Sequence, residues 1–283
     1  MKGTEHYTLN VRGRLLDLSE PQVMGILNVT PDSFYAGSRM ETEEAVRGRV
    51  QQIVDEGSSM IDIGAYSSRP SAADVSAEEE MARLRRGMKV VREVAPEVPV
   101  SVDTFRADVA KMAVEELGVD IINDISGGEL DKEMFGTVAK LGVPYILMHM
   151  KGTPQTMQQA PHYDDLMKEV MLYFAEKIQQ LRDLGQKDII LDPGYGFAKT
   201  IDHNYELLRH QEMLNVFELP LLVGVSRKSM IYKLLGCTPN EALNGTTVLN
   251  TIALQKGASI LRVHDVKEAV EVAKMMGRLK IEN

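Results

Sequence analysis

The sequence predicts an α/β fold, a (β/α)8 TIM barrel whose bottom is capped by an N-terminal β-hairpin. Three observations lead there. Short apolar runs alternate with helical patterns eight times along the chain, and parallel strands need such crossovers. An eight-stranded barrel of ~250 residues allows ~31 per unit, and the spacing is compatible. No dinucleotide-type glycine fingerprint is present, which disfavours the alternative, an open doubly wound sheet.

The first element is the hairpin, residues 6–18, with a turn near Arg12-Gly13. Eight strands then follow, read as VMGILNV (23–29), MIDIGA (60–65), VPVSVD (98–103), VDIINDI (119–125), VPYILMHM (143–150), DIILDPG (188–194), LPLLVGVS (219–226) and SILRVHD (259–265). The helical patterns include 42–57, 76–95 and 164–185, each with apolar residues three and four apart. The first and third run out into Gly57 and Gly185, as helix ends do. The acidic run 77–86 predicts a solvated, salt-bridged helix face. Residues 236–247 predict a loop with an N-cap, then a helix to Lys256. No low-complexity linker divides the chain, so residues 1–283 are expected to form one domain.

The formal charge of −9 argues against bulk nucleic-acid or anionic-membrane binding, since both need a basic face. A small anionic ligand needs only local positive charge. The first residues show no signal-peptide pattern, and no apolar run approaches the ~18 residues of a membrane helix. Cys237 is the only cysteine, which fits a reducing cytoplasm.

Barrel active sites lie at the C-terminal ends of strands. Those ends carry Asn28, Asp62, Asp103, Asn123, Asp192, Lys228, Arg262 and His264. One Asp after a strand is often only a turn former or helix cap. Eight polar residues at one mouth are harder to explain so. Asp103, Asn123 and Asp192 form an acceptor-rich group, suited to a planar fork of N–H donors. Arg69, Lys228, Arg262 and His264 form a second group suited to phosphate oxygens. Strand alternation puts Ile260, Arg262 and His264 on one face. Either Arg262 and His264 hold an anion, or Arg262 pairs with Asp62 inside the barrel.

LNVTPDSF (27–34), SVDTFRADVA (101–110), INDISGG (122–128), LMHMKGTPQTM (147–157), DPGYGF (192–197), VGVSRKS (223–229) and LRVHDV (261–266) together resemble the dihydropteroate synthase family of folate biosynthesis. The motifs run through nearly the whole chain in the family's order.

The resemblance implies a transferase that condenses 6-hydroxymethyl-7,8-dihydropterin pyrophosphate with p-aminobenzoate, releasing pyrophosphate. It implies that Asp103, Asn123, Ile125, Met148, Asp192, Phe197, Gly224 and Lys228 contact the pterin. Asn28, Arg69, Arg262 and His264 would hold the pyrophosphate, with Asn28 also a Mg²⁺ ligand. Phe34, Ser68, Pro70, Phe197, Lys228 and Ser229 would line the p-aminobenzoate pocket, the family's usual sulfonamide target. Lys228, Arg262, Asp103 and Asp192 would carry the catalysis. Loops with Asp32, Phe34 and Ser68 to Pro70 would close over the site. The family usually forms homodimers through late barrel helices.

The chain departs from the family where GAYSSRPS (64–71) replaces a sequence close to GGESTRPG, and where Tyr195 and Ala198 replace Ile and Gly. These changes are expected to alter loop packing rather than the reaction. Two rivals are a pterin-barrel methyltetrahydrofolate:corrinoid methyltransferase and a non-catalytic pterin-binding module. The first has no use for TPDSF, the SRK lysine or the RVHD pair. The second should have lost charges from the phosphate set, and none is missing. His149 is expected to be a satisfied structural histidine, and His162, His203 and His210 surface residues.

Overall fold

Both backbone positions of the Arg12-Gly13 turn have positive φ, 51° and 75°. That is the geometry of a two-residue turn matched to strand twist. It joins β1 (Thr8–Val11) to antiparallel β2 (Arg14–Asp17), with Val11 opposite Arg14. The computed structural model describes residues 7–29, 39–66, 75–152 and 161–279. Residue 6 of the expected hairpin lies outside them, as do Asp32, Phe34, Ser68, Arg69, Pro70 and Ser71.

Eight parallel strands close into a barrel: β3 (Gln22–Asn28), β4 (Met60–Gly64), β5 (Val100–Asp103), β6 (Ile121–Asp124), β7 (Tyr145–Met148), β8 (Ile189–Asp192), β9 (Leu221–Val223) and β10 (Ala258–Val263). Each pairs with the next, and β10 returns to β3 with Arg262 opposite Met24. Every apolar run overlaps its strand: six strands lie wholly inside their runs and are shorter, while β3 and β10 each begin one residue earlier, at Gln22 and Ala258. The run ending in His264-Asp265 stops as a strand at Val263.

Around the barrel lie α1 (Arg39–Asp55), α2 (Ala77–Val94), α3 (Ala107–Glu115), α4 (Met134–Leu141), α5 (Leu166–Asp183), α6 (Ile201–Arg209), α7 (Ser229–Leu235), α8 (Leu243–Gln255) and α9 (Val266–Leu279). Alternating strand residues divide the core in two, because successive side chains point to opposite faces. Val23, Leu27, Ile61, Ile63, Val102 and Ile122 pack outward against helices. Met24, Met60, Ile121, Ile146, Ile190, Leu222 and Ile260 fill the lumen.

The hairpin closes that lumen from below. Leu9, Val11 and Leu18 join the lumen cluster. Arg12 donates to Asp120, at the start of β6, at 2.7 Å. The capping expected from the sequence is therefore present.

In α2 the acidic run is only partly solvated. Ser76 caps the helix by accepting from the Glu79 N–H, and Glu79 pairs with Arg83 at 2.8 Å. Glu80, however, is fully buried and bonded to Arg106, which also donates to the Val75 carbonyl at 2.7 Å. The expectation of a wholly solvated face fails at Glu80. A long-range ion pair, invisible to local charge pattern, makes its burial tolerable.

Candidate functional site

The upper mouth collects side chains from six strands at nearly one level. Register sets Gly64 beside Asp103, Asp103 beside Asn123, and Met148 beside Asp192. Asp62 lies one layer deeper, opposite Ser101, and is fully buried.

Arg262 organises the centre. Its Nε donates to Asp62 Oδ2 at 2.7 Å, and its Nη2 lies 3.3 Å from Asp103 Oδ2. The internal Asp62 pairing weighed from the sequence is thus present. It does not exhaust the guanidinium, which carries five donors. Among the described residues Nη1 has no hydrogen-bond partner.

Asn123 Nδ2 approaches Asp62 at 3.4 Å, while its Oδ1 is buried with no partner among the described residues. A buried, unpaired acceptor costs ~1–3 kcal/mol. An N–H donor on a ligand would relieve it. Asp124, the next residue, faces outward and is a structural acceptor. It takes bonds from Ser126 N, Gly128 N and Tyr145 OH, all within 2.8 Å.

Asp192 begins a tight loop. Its Oδ1 accepts from Gly194 N at 2.8 Å. Gly194 has φ 71°, and a Cβ there would meet the His149 carbonyl at 2.0 Å, so only glycine fits. Lys199 is buried under the loop and donates to the Gly194 carbonyl at 3.1 Å, with His149 Nδ1 2.9 Å away. His149 is the satisfied structural histidine expected of it. Burial pushes Lys199 down to about 7. The Tyr195 hydroxyl, a departure from the family, is buried and lies 3.0 Å from Gln211. Ala198, the other departure, sits at φ 48°.

Lys228 caps α7 and reaches back over the same loop. Its ammonium donates to the Tyr195 carbonyl at 2.5 Å and lies 4.6 Å above the Phe197 ring. A Cβ on Gly224 would sit 3.9 Å from that ammonium and 3.8 Å from Arg262 Cβ, so Gly224 leaves space between the two cations. Ser229 begins α7, half-buried. Ile125, Met148, Met150 and Ala198 form an apolar wall, packed by Phe105 and Phe197. Phe105 and Met150 were not legible as site residues, since each lies two residues past its strand, where an apolar side chain carries no chemical signal of its own.

Burial pushes the Asp103 carboxyl up to about 7, although Arg262 opposes the shift. Burial also raises Asp192, with Lys228 opposing. Lys228 itself falls to about 8 through burial, partly offset by Asp192. Asp103 and Lys228 are therefore poised near neutrality in one cleft, with Asp192 raised beside them, a mark of functional sites.

The anion side differs from expectation. His264 follows β10 rather than belonging to it, and is exposed. It shares no buried strand face with Arg262, because the strand ends one residue earlier. Its Nδ1 lies 3.1 Å from Ser226 Oγ, and its carbonyl accepts from Arg49 Nη2 at 2.5 Å. Although the residue as a whole is exposed, desolvation of its ring by the protein around it drops its pKa to about 4, with Arg262 adding to the effect. His264, Arg49 and Asn28 line a cavity of about 380 Å³ with Ile26, Leu27, Ala45 and Val46. Arg49 comes from α1, with no motif around it to mark it in the sequence. The structure brings Asn28 and His264 together, and joins Asp103, Asn123, Asp192, Lys228 and Arg262 in the adjoining cleft.

Residues 24–264 match the pterin binding enzyme family. The chain is similar to a dihydropteroate synthase of Escherichia coli strain K12, 45% identical over 277 residues, covering 95% of each chain. It is also similar to a Yersinia pestis dihydropteroate synthase solved with a sulfonamide drug complex. There the TM-score is 0.87 at 42% identity, covering 97% of this chain and 99% of the other. A Xanthomonas albilineans dihydropteroate synthase solved with 4-aminobenzoic acid gives 0.86 at 37% identity, covering 98% and 99%.

Proposed function

The chain belongs to the family of pterin binding enzymes, and from that premise we infer that it is a dihydropteroate synthase. It joins 6-hydroxymethyl-7,8-dihydropterin pyrophosphate to p-aminobenzoate, giving 7,8-dihydropteroate and pyrophosphate. The observation that carries the reading is the cleft itself. Buried Asp192 lies near the Lys228 ammonium, and the buried Asn123 Oδ1, without a partner among the described residues, shares the cleft with an apolar wall. A planar ring with adjacent N–H donors and a carbonyl fits that set.

In this reading Asp192 accepts the pterin's N–H fork and Asn123 Oδ1 takes another ring donor. Lys228 leaves the Tyr195 carbonyl for the ring's carbonyl and nitrogen edge. Ile125, Met148 and Phe197 hold the ring in plane. Charge then builds on the departing pyrophosphate while the pterin methylene becomes cationic. Arg262 meets the first through its remaining donors, together with Asn28 and His264. The carboxylates of Asp103 and Asp192 stabilise the second through the conjugated ring. The arylamine is neutral at pH 7 and attacks the methylene directly, so no covalent enzyme intermediate forms. Ser229, with Phe34, Ser68 and Pro70, receives p-aminobenzoate, and Arg69 joins the anion set.

Mg²⁺ keeps most of its waters and bridges phosphates with one or two protein oxygens. Asn28 Oδ1 suits that role: the residue is exposed at the mouth and makes no side-chain hydrogen bond to another described residue. No cluster of three His, Cys, Asp or Glu side chains competes among the described residues. Bound there, the ion would neutralise phosphate charge. Exposed apolar residues Leu234, Leu235 and Val248 on α7 and α8 support homodimerisation through late helices. The single cysteine supports a cytoplasmic setting, and no helix among the described residues is long and apolar enough to cross a membrane.

The test mixes purified protein with both substrates and Mg²⁺ and measures dihydropteroate and pyrophosphate. Absence of both products, with pterin still bound, would leave the non-catalytic module standing.

A further inference from the structure

His264 makes an unusual double contact with Ser226. The serine Oγ accepts the His264 backbone N–H at 3.1 Å and lies 3.1 Å from the same residue's ring Nδ1. Ser226 is 4% exposed. A hydroxyl has one proton to donate and two lone pairs to offer. If Nδ1 carried the ring proton, both serine lone pairs would be filled. Its own proton would then have no acceptor among the described residues, and a buried unpaired donor is disfavoured. If Nδ1 is bare, the serine proton goes to it and every polar group at the contact is satisfied.

The backbone of His264 is held as firmly as its ring. Arg49 Nη2 donates to its carbonyl, and Nη1 of the same guanidinium bonds Gln52 Oε1 at 2.9 Å. This ties the end of β10 to α1 across 215 residues of sequence. The neighbouring charges are Arg262 from β10, Asp265 in the following turn, Arg227 after β9 and Arg49 from α1. Three of the four are positive, so the environment favours the neutral ring.

We propose that Ser226 is a positioning residue that fixes His264 as the tautomer protonated on Nε2, while Arg49 clamps its backbone. His264 then presents one defined N–H donor at the cavity it shares with Asn28 and Arg49. The proposal rests on the functional reading above for the identity of the anion, a diphosphate. A neutral donor in fixed orientation suits a group that must be gripped as charge develops and then released. Arg262 supplies permanent charge; His264 supplies direction. Tautomer setting by a partner on the other ring nitrogen is a general device of functional histidines.

Nitrogen-15 NMR of the full-length, ligand-free protein, with His264 assigned through His264→Gln, reads the tautomer directly. A pyridine-like Nδ1 and a pyrrole-like Nε2 are expected. Ser226→Ala should give mixed tautomers, and Ser226→Thr should restore the wild-type pattern. Ser226→Ala should also weaken inorganic pyrophosphate binding about fivefold, the net worth of one hydrogen bond, and Ser226→Thr should recover it. A proton on Nδ1 in the wild type overturns the proposal. So does a tautomer or pyrophosphate affinity unchanged in Ser226→Ala. The ring signals are read without substrate, so a protein that makes no dihydropteroate would defeat the functional reading while the tautomer is still tested.

Discussion

Arg262 has two attachments whose loss would be felt differently. Arg262→Met keeps much of the stem's packing but leaves Asp62 and Asp103 without their cation. Removing one partner of a buried pair costs about 3–5 kcal/mol. A large fall in melting temperature is therefore expected, with pyrophosphate affinity falling at least about tenfold, or ~1.4 kcal/mol. Asp62→Asn,Arg262→Met should recover part of the stability and none of the anion affinity. Calorimetry with pyrophosphate beside a melting curve decides this. Full recovery of affinity in the double variant would remove Arg262 from the anion site.

Asp103 gives a second prediction at the same scale. Its carboxyl is pushed up to about 7, so neutral and ionised forms coexist at pH 7. A carboxyl raised in the fold stabilises it below the unfolded value of ~4, and that contribution is lost as pH rises through about 7. A cationic pterin intermediate or a ring N–H selects the carboxylate. Pterin binding should therefore release part of a proton at pH 7, and affinity should rise from pH 6 to 8. Titration calorimetry in two buffers of different ionisation enthalpy measures the proton. No release, or uptake, would exclude Asp103 as the acceptor.

At the scale of elements, the loop from Asp192 to Lys199 joins scaffold to chemistry. Gly194 and Gly196 adopt left-handed backbone that they tolerate, and Ala198 adopts it at a cost. That cost is ~1 kcal/mol for a residue with a Cβ. Ala198→Gly should raise stability by up to ~1 kcal/mol, or about 2 °C at this chain length. A lower melting temperature would mean the methyl's packing in the apolar wall outweighs the strain. The same loop shows what the sequence makes legible. Asp192-Pro193-Gly194 announces a turn after a strand, and the structure has one. Lys199 beneath it was not legible, because its partners are backbone carbonyls and a histidine 50 residues away.

For the molecule as a whole, the barrel was legible because each strand carries its own apolar run and each helix its own periodicity. The acceptor side of the site was legible for a related reason: Asp103, Asn123 and Asp192 sit at strand ends that local pattern defines. The anion side was less so. His264 was read as a strand residue because alternation continues past Val263, and nothing local reports that the hydrogen-bonded ladder stops. Arg49 and Ser226 act through contacts across 215 and 38 residues. Assembly beyond one chain gives the last prediction. Leu235→Asp,Val248→Asp places charges on the exposed apolar faces of α7 and α8. It should shift the proposed homodimer toward monomer in analytical ultracentrifugation with the fold intact. A wild-type protein that sediments as a monomer would overturn the homodimer, and a dimeric variant would take the interface off α7 and α8.

The bond between Arg262 and Asp62 spans 200 residues, and the strand that carries Arg262 is the last of the eight. During synthesis at ~5–20 residues per second, the chain spends on the order of tens of seconds without it. The hairpin, made of local contacts, can form early, yet Leu9 and Val11 have no complete lumen to enter until β10 emerges. Asp62 and Asp103 meanwhile stay wet. A nascent chain stopped before residue 258 would expose two open sheet edges and a ring of uncompensated carboxylates. Closure of the barrel and arrival of Arg262 beside Asp62 are therefore one event, and in the proposed reading a chain that lacks β10 should bind no pyrophosphate.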